Sequence, residues 1–541
     1  MSENQIRSPS SARSVPPQSL FLSISGGAGS KLYVVALLAI VAVVYFPAIF
    51  AWYELNDDHF LVYQSSAHIH QQLPERPTLL DVFHGDVTRR GHFAPVQIVL
   101  HFLHANLFGQ HPWLFRTYLL CMAAATATFL YGFATVYWNS AFAGILFSLW
   151  IMICPAASDV WPHMVRGETV GMFLIALILW LIWVPARNRR AASILAVTLF
   201  VVLCLEKENF FVLFPAFGWL ACTKRSQPGL ELAKKTHLRL AAGFCIVGIA
   251  TGLVIFFVLL NADDASHAGK SLNLTSTDGL ILILRLKSIL IKLGTNGMLF
   301  IPHVAVVLML WKAGLLTRRI LAIGIFPFLI ALPQILIYIT RDSFESRYAF
   351  PMMIAVALPG AMAIDQLFSR VKESKLRLLI GIAVIAVFSR WAQVQITESI
   401  NFASETQALR QLCKSIVRSI DENGKVILVA PRKSEGALAV LTYIGFCGRP
   451  NSHVMISQPD GSDGDTEFGF TGQNLLAEVV LSDADCIIFL PGSSETIPPN
   501  LASSINARMK LQEITFNRYY VSLRSGKIVR VPDSFQFYSR S

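Results

Sequence analysis

Apolar residues fall along the chain in eleven long runs, at roughly 32–53, 116–137, 140–157, 168–185, 191–206, 209–223, 240–261, 295–312, 320–340, 349–368 and 377–396. A helix needs about 20 apolar residues to cross the hydrocarbon core of a bilayer, so each run is a candidate span. Residues 117–158 carry no charge, and that stretch is long enough to cross twice with Trp138-Asn139-Ser140 as the turn. The two shortest runs, 191–206 and 209–223, predict a helical hairpin with Glu206-Lys207-Glu208 at its bend. Two further stretches have helical spacing without being spans. Phe93–Phe108 predicts an amphipathic helix resting on the membrane with histidines at its polar edge, and Leu280–Leu293, punctuated by Arg285, Lys287 and Lys292, predicts a second interfacial helix.

After about residue 397 the pattern changes. Glu405–Ile420 keeps helical spacing, Gly424–Ala430 and Asp485–Leu490 are short buried-strand patterns, and Tyr519–Val531 predicts a hairpin around Ser525-Gly526. The expected fold class is therefore mainly α: a polytopic membrane helical bundle of about 11 spans with a small C-terminal α/β extracytoplasmic domain. The expected division is a cytoplasmic N-terminal tail over 1–30, a transmembrane domain over 31–396 with a large first outer loop at 52–115, and a soluble α/β domain over 397–541.

Composition agrees with a membrane protein. Of 541 residues, 54% are hydrophobic and 15% charged, against about 25% charged in an ordinary soluble domain, and the mean hydropathy is +0.53. This excludes disorder, a coiled coil and a conventional soluble enzyme. The net charge of +11 would suggest nucleic acid in a soluble protein; here Lys and Arg instead mark one side of the membrane, and no nucleic-acid partner is expected. With the N-terminus inside, the basic groups Arg187/Arg189/Arg190, Lys224/Arg225/Lys234/Lys235/Arg239, Lys312/Arg318/Arg319 and Arg370/Lys372/Lys375/Arg377 all fall on cytoplasmic loops. Arg390 interrupts the eleventh run, and if that run does not cross, the tail is cytoplasmic. The cysteines form no CxxC pair, so neither a disulfide framework nor a zinc site is signalled.

Four charged clusters then share the outer side. Asp57 and Asp58 follow the first run; neighbouring carboxylates suit a general base or a divalent metal, although adjacent side chains do not share a helix face, so one of the two would meet a substrate. Asp159, Arg166 and Glu168 follow the third, where the planar guanidinium of Arg166 matches phosphate oxygens or pairs with either acid. Glu206-Lys207-Glu208 is a charged bend that is costly unless paired or hydrated. Arg347 and Tyr348 precede the tenth run, suited to a phosphate and to a sugar or isoprenoid edge. The many histidines of the first outer loop include His101 and His104, three apart in an apolar stretch, but a zinc site would need a third ligand. No P-loop, dinucleotide fingerprint or Ser-His-Asp arrangement is present.

In these features the sequence resembles the GT-C superfamily of membrane glycosyltransferases, which includes protein O-mannosyltransferases and aminoarabinose transferases. The likeness is carried by Asn56-Asp57-Asp58 at the start of the first outer loop, by Leu107–Arg116, by Phe147–Glu168 ending in Arg166-Gly167-Glu168, by Leu203–Pro215 with Lys207-Glu208, and by Glu345–Pro351 with Arg347-Tyr348. It spans residues 30–370 and is diffuse; Gly91–Val96 departs from it, lacking an Arg before Pro95. The resemblance implies a polyprenyl-phosphate-sugar donor, a lipid, glycan or protein acceptor, contact with membrane lipids, and inverting transfer. Asp57 or Asp58 would be the base, with Asp159 and Glu168 as second acids. Arg166, Lys207, Glu208, Arg347 and Tyr348 would contact lipid phosphate or sugar. A divalent metal is optional in that family, and no other cofactor is signalled. Two rival readings stand beside it: a transporter or flippase of a lipid-linked anion, which would place charges at mid-membrane, and a non-catalytic membrane scaffold.

Overall fold

The structure is a computed structural model that describes residues 28–54, 58–65, 77–88, 93–164, 166–183, 189–224, 234–261, 279–296, 318–339, 346–429, 435–457, 484–489, 505–506, 509–521 and 527–540. Asp57, most of the run at 295–312 and the Ser525-Gly526 turn lie outside them.

The bundle is built from helices α1 (Ala28–Tyr45), α2 (His59–Ser65), α3 (Leu79–Thr88), α4 (Pro95–Phe108), α5 (Pro112–Trp138), α6 (Ala141–Ile153), α7 (Gly167–Trp183), α8 (Arg189–Glu206), α9 (Phe214–Lys224), α10 (Lys234–Asn261), α11 (Gly279–Asn296), α12 (Arg318–Tyr338), α13 (Ser346–Ala349), α14 (Met353–Arg370) and α15 (Ser374–Ser419). The protein is a polytopic helical membrane protein. Among the described residues, four segments have the length and apolar composition to cross a bilayer: Lys31–Phe50, Pro112–Trp138, Thr236–Val258 and the long helix Ser374–Ser419. Their outward faces carry large apolar side chains (Val35 and Val43 on α1, Ile249 and Phe256 on α10, Leu378 and Ile382 on α15), as lipid-facing helices do. Inside, Tyr131, Phe133, Phe147, Trp150, Phe200 and Phe326 form one continuous core.

The charge-free double crossing takes the form its turn chemistry dictates. Helix α5 ends at Trp138, Asn139 adopts the left-handed conformation (φ 58°) that this residue type tolerates, and Ser140 caps α6 by accepting from the Ala143 amide at 3.2 Å. Asp365 of α14 clamps the turn, accepting from Trp138 Nε1 at 2.9 Å and from Ser140 Oγ at 2.7 Å. The run at 209–223 is a 3-10 turn, Glu208–Leu213, followed by the short α9.

The C-terminal α/β unit holds strands β1 (Lys425–Val429), β2 (His453–Ser457), β3 (Cys486–Phe489), β4 (Lys510–Val521) and β5 (Ile528–Ser539), with helix α16 (Glu435–Phe446). The sheet order is β2-β1-β3-β5-β4, parallel among the first three and antiparallel from β3 to β4. Strand β2 has no counterpart in the sequence reading, and the β4–β5 hairpin is longer than its 519–531 pattern. The expected boundary at 396/397 falls inside α15, which runs without a break from the membrane into the α/β unit and packs along β4. The α/β core (Leu412, Ile416, Leu428, Tyr443, Ile488, Phe537) is continuous with Trp52, Tyr53, Val62 and Phe115. The first outer loop and the C-terminal unit therefore share one core at one end of the bundle.

Candidate functional site

Two polar groups lie at that end, and the loop Trp161–Glu168 touches both. In the first, Asp58 begins α2 and is fully buried. Its Oδ2 accepts from the Glu54 amide at 3.0 Å and from Arg116 Nη2 at 3.0 Å. Arg116, almost as buried, also donates to the carbonyls of Trp52 (2.8 Å) and Pro162, and lies 4.7 Å over the Phe402 ring. A charge removed from water this far needs a partner and further hydrogen bonds, and both residues have them. Beside them, Glu54 Oε2 meets His163 Nδ1 at 2.8 Å, and the Tyr443 hydroxyl donates to the Glu54 carbonyl. Tyr443 comes from the α/β unit, so the segment entering the first outer loop is held by the bundle on one side and by the C-terminal unit on the other.

The second group gathers residues from three distant parts of the chain. Glu168, in the first turn of α7 and 1% exposed, is ion-paired with Lys207 at the α8 bend. Lys207 Nζ lies 5.1 Å from the centre of the Tyr348 ring, as does the Arg347 guanidinium, whose Nη2 donates to the Tyr348 hydroxyl at 3.3 Å. Tyr348 stacks on Tyr338 of α12 (4.9 Å, 19°), and Asn209 donates to the Tyr338 hydroxyl. The backbone explains why Glu168 and Lys207 meet. A Cβ on Gly171, one turn along α7, would lie 2.3 Å from Cζ of Phe210, one turn past Lys207. Glycine lets the fully buried Phe210 ring lie against α7, and that contact brings the two charges together.

The loop between the groups is held by Thr169 Oγ1 donating to the Val160 carbonyl at 3.1 Å and by Trp161 against Phe350 (5.9 Å). Of the residues singled out in the sequence, the structure brings together Glu168, Lys207, Arg347 and Tyr348, with Asp58 in the neighbouring group. Arg166 is half-buried just before α7, and Glu208 is half-buried at the first position of the 3-10 turn. Asp159 is half-buried with Cys154 and Glu398 as electrostatic neighbours. Sequence reasoning missed Arg116, Glu54, His163, Tyr338 and Asn209. Arg116 carried a signal, a lone charge at the head of an apolar run; Asn209 and Tyr338 carried none.

His104 is a correction. It does not sit at a polar edge: it is buried among Phe108, Phe115 and Tyr118 at 4.8–5.8 Å, and burial pushes its pKa down to about 4. The outward stripe of α4 is instead Val99, Leu103 and Leu107, as suits a helix lying on a bilayer. Among the described residues no three His, Cys, Asp or Glu side chains are grouped as a metal site would require. Asp58 and Glu168 each face a cation, Arg116 and Lys207 respectively.

No family model and no curated protein matches the chain. Among solved structures the chain is similar to ArnT from Cupriavidus metallidurans. For the crystal structure bound to undecaprenyl phosphate the identity is 13% over 94% of this chain and 98% of that one, with a TM-score of 0.49. For the crystal structure in the apo state the identity is 14% over 93% and 98%, again with a TM-score of 0.49.

Proposed function

We propose that the protein is a membrane glycosyltransferase that moves a sugar from a polyprenyl-phosphate-linked donor to a lipid, glycan or protein acceptor outside the cytoplasm. The observation that supports this reading most is the Glu168–Lys207–Tyr348–Arg347 group. Two cations flank one aromatic face at the end of a membrane bundle, which is what a lipid phosphate with a sugar attached would need. The donor is already activated by its phosphate, so no nucleotide site is required, and the sequence contains no nucleotide-binding fingerprint.

In this mechanism Lys207 and Arg347 stabilise the charge that gathers on the departing lipid phosphate. Glu168 fixes the Lys207 ammonium, and Tyr348, backed by Tyr338, holds the two cations beside its ring. The base must be a carboxylate whose lone pairs are not committed to a cation. Asp58 is held by Arg116 and would position the loop that begins there, which leaves its sequence neighbour Asp57 as the residue we assign as base. Attack by the acceptor hydroxyl at the anomeric carbon, with the lipid phosphate leaving from the opposite face, inverts that centre. Arg166, Glu208 and Asp159 would complete the approach of donor and acceptor.

The test is transfer in proteoliposomes holding the full-length chain and radiolabelled polyprenyl-phosphate sugars. Wild type should release the label from lipid to acceptor. Asp57→Asn and Lys207→Met should each lower turnover by about a hundredfold or more, the scale of a lost base or a lost charge stabiliser. Undiminished turnover in both variants would refute the assignment.

A further inference from the structure

A cleft of about 720 Å³ opens between the 3-10 turn Phe46–Phe50 that ends the first span, the start of α5, the membrane-distal half of α15 and the end of α16. Its wall includes Trp52, whose carbonyl accepts from Arg116 in the first polar group, but no charged residue of either polar group lines it. Phe50, Trp113 and Phe446 line it, and Arg410 and Lys414 project into it from successive turns of α15. Among the described residues no acidic residue lines the cleft and neither cation has an ion-pair partner. Gln407, one turn before, donates to the Phe50 carbonyl and ties the cleft wall to the span end. Phe46, Phe50 and Trp113 are each more than half exposed, a wide apolar aromatic rim where the first span leaves the bilayer.

We infer that this cleft binds the anionic headgroup of a membrane phospholipid, with its acyl chains over Phe46 and Phe50 and its phosphate between Arg410 and Lys414. Charge complementarity and position carry the assignment together. Two cations one turn apart, with no ion-pair partner among the described residues, attract a phosphate; Trp113 is of a type that collects at headgroup level, and Phe46 and Phe50 offer exposed apolar surface beside it. The volume suits a headgroup and exceeds what a lone anion needs. The inference does not depend on sugar transfer.

Cys447 lines the same cleft and reports on it locally. Burial pushes its thiol up to about 11, with Lys414 and Arg410 pulling it the other way, so both cations lie near the sulfur. The detergent-solubilised full-length chain is treated with N-ethylmaleimide at pH 8.5, and modification of Cys447 is followed by peptide mass spectrometry. Dioleoyl phosphatidylglycerol should slow the reaction about tenfold more than dioleoyl phosphatidylcholine, the factor expected for about 1.4 kcal/mol of charge-assisted binding. Each variant is compared with itself with and without lipid, so changes in the thiol's own reactivity cancel. Arg410→Gln/Lys414→Gln should erase the preference, whereas Arg410→Lys and, outside the cleft on the same helix, Arg418→Gln should keep it. Equal protection by both lipids, protection that survives the double substitution, or protection by inorganic phosphate alone at the lipid's concentration would each overturn the inference.

Discussion

The buried Arg116–Asp58 pair illustrates how a single ionic contact behaves when water is excluded. Removing one partner strands the other, so Asp58→Asn or Arg116→Gln should each cost about 3–5 kcal/mol, while the double substitution should cost less than the sum of the two. Thermal or denaturant unfolding of the four proteins checks this, and strict additivity would contradict it. His104 makes a prediction in pH. Its folded-state pKa of about 4 lies below the ordinary value of 6.5, so the fold favours the neutral ring. The stability it contributes is complete above about pH 6.5 and is lost as pH falls toward 4, at most about 3 kcal/mol. His104→Phe should flatten the fall in Tm across that window without lowering Tm at pH 7.5, because the aromatic box around it accepts a ring of similar size. The charged residues of the candidate site were legible in the sequence as charges at span ends. Their partners were not, since Glu168 and Lys207 are separated by two whole helices, α7 and α8, and nothing in composition says which end-of-span charges face each other.

Among elements, the packing of α7 against the 3-10 turn after α8 depends on one missing methyl group. Gly171→Val should push the Phe210 ring off α7, separate Glu168 from Lys207, and lower the proposed transfer activity at least tenfold. Phe210→Ala combined with it should recover part of that activity, a rescue that a purely local helix defect would not show; a double variant no better than the single one would count against the account. The α5–α6 turn offers a contrast. Asp365→Ala removes both side-chain contacts to the turn and should cost about 1–3 kcal/mol in Tm-derived stability with little effect on transfer, since the clamp lies apart from the polar groups. That turn could be read directly from Trp138-Asn139-Ser140, because a charge-free stretch of that length has to reverse and Asn-Ser is good helix-stop and helix-start chemistry. Strand β2 could not, because His453–Ser457 is short, polar at both ends and stabilised by parallel pairing with β1 that no local pattern encodes.

Across the whole molecule, the first outer loop and the C-terminal unit share one core, so the α/β unit is a structural support for the loop that carries Asp58. Tyr443→Ala, which removes a fully buried ring and its hydrogen bond to the Glu54 carbonyl, should raise amide hydrogen exchange over 58–65 as well as in the α/β unit. Exchange confined to the C-terminal unit would show the two to be independent. The sequence divided the chain at 396 because polarity changes there, but a change of solvent does not end a helix, and α15 continues for more than twenty residues. At 1.5 Å per residue its 46 residues make a rod about 69 Å long. Pivoted at its N-terminal end, such a lever turns a lean of about 5° into roughly 6 Å of travel at its far tip. Thicker or thinner lipid around its lower half is thereby felt as a displacement of the sheet that rides on its upper half.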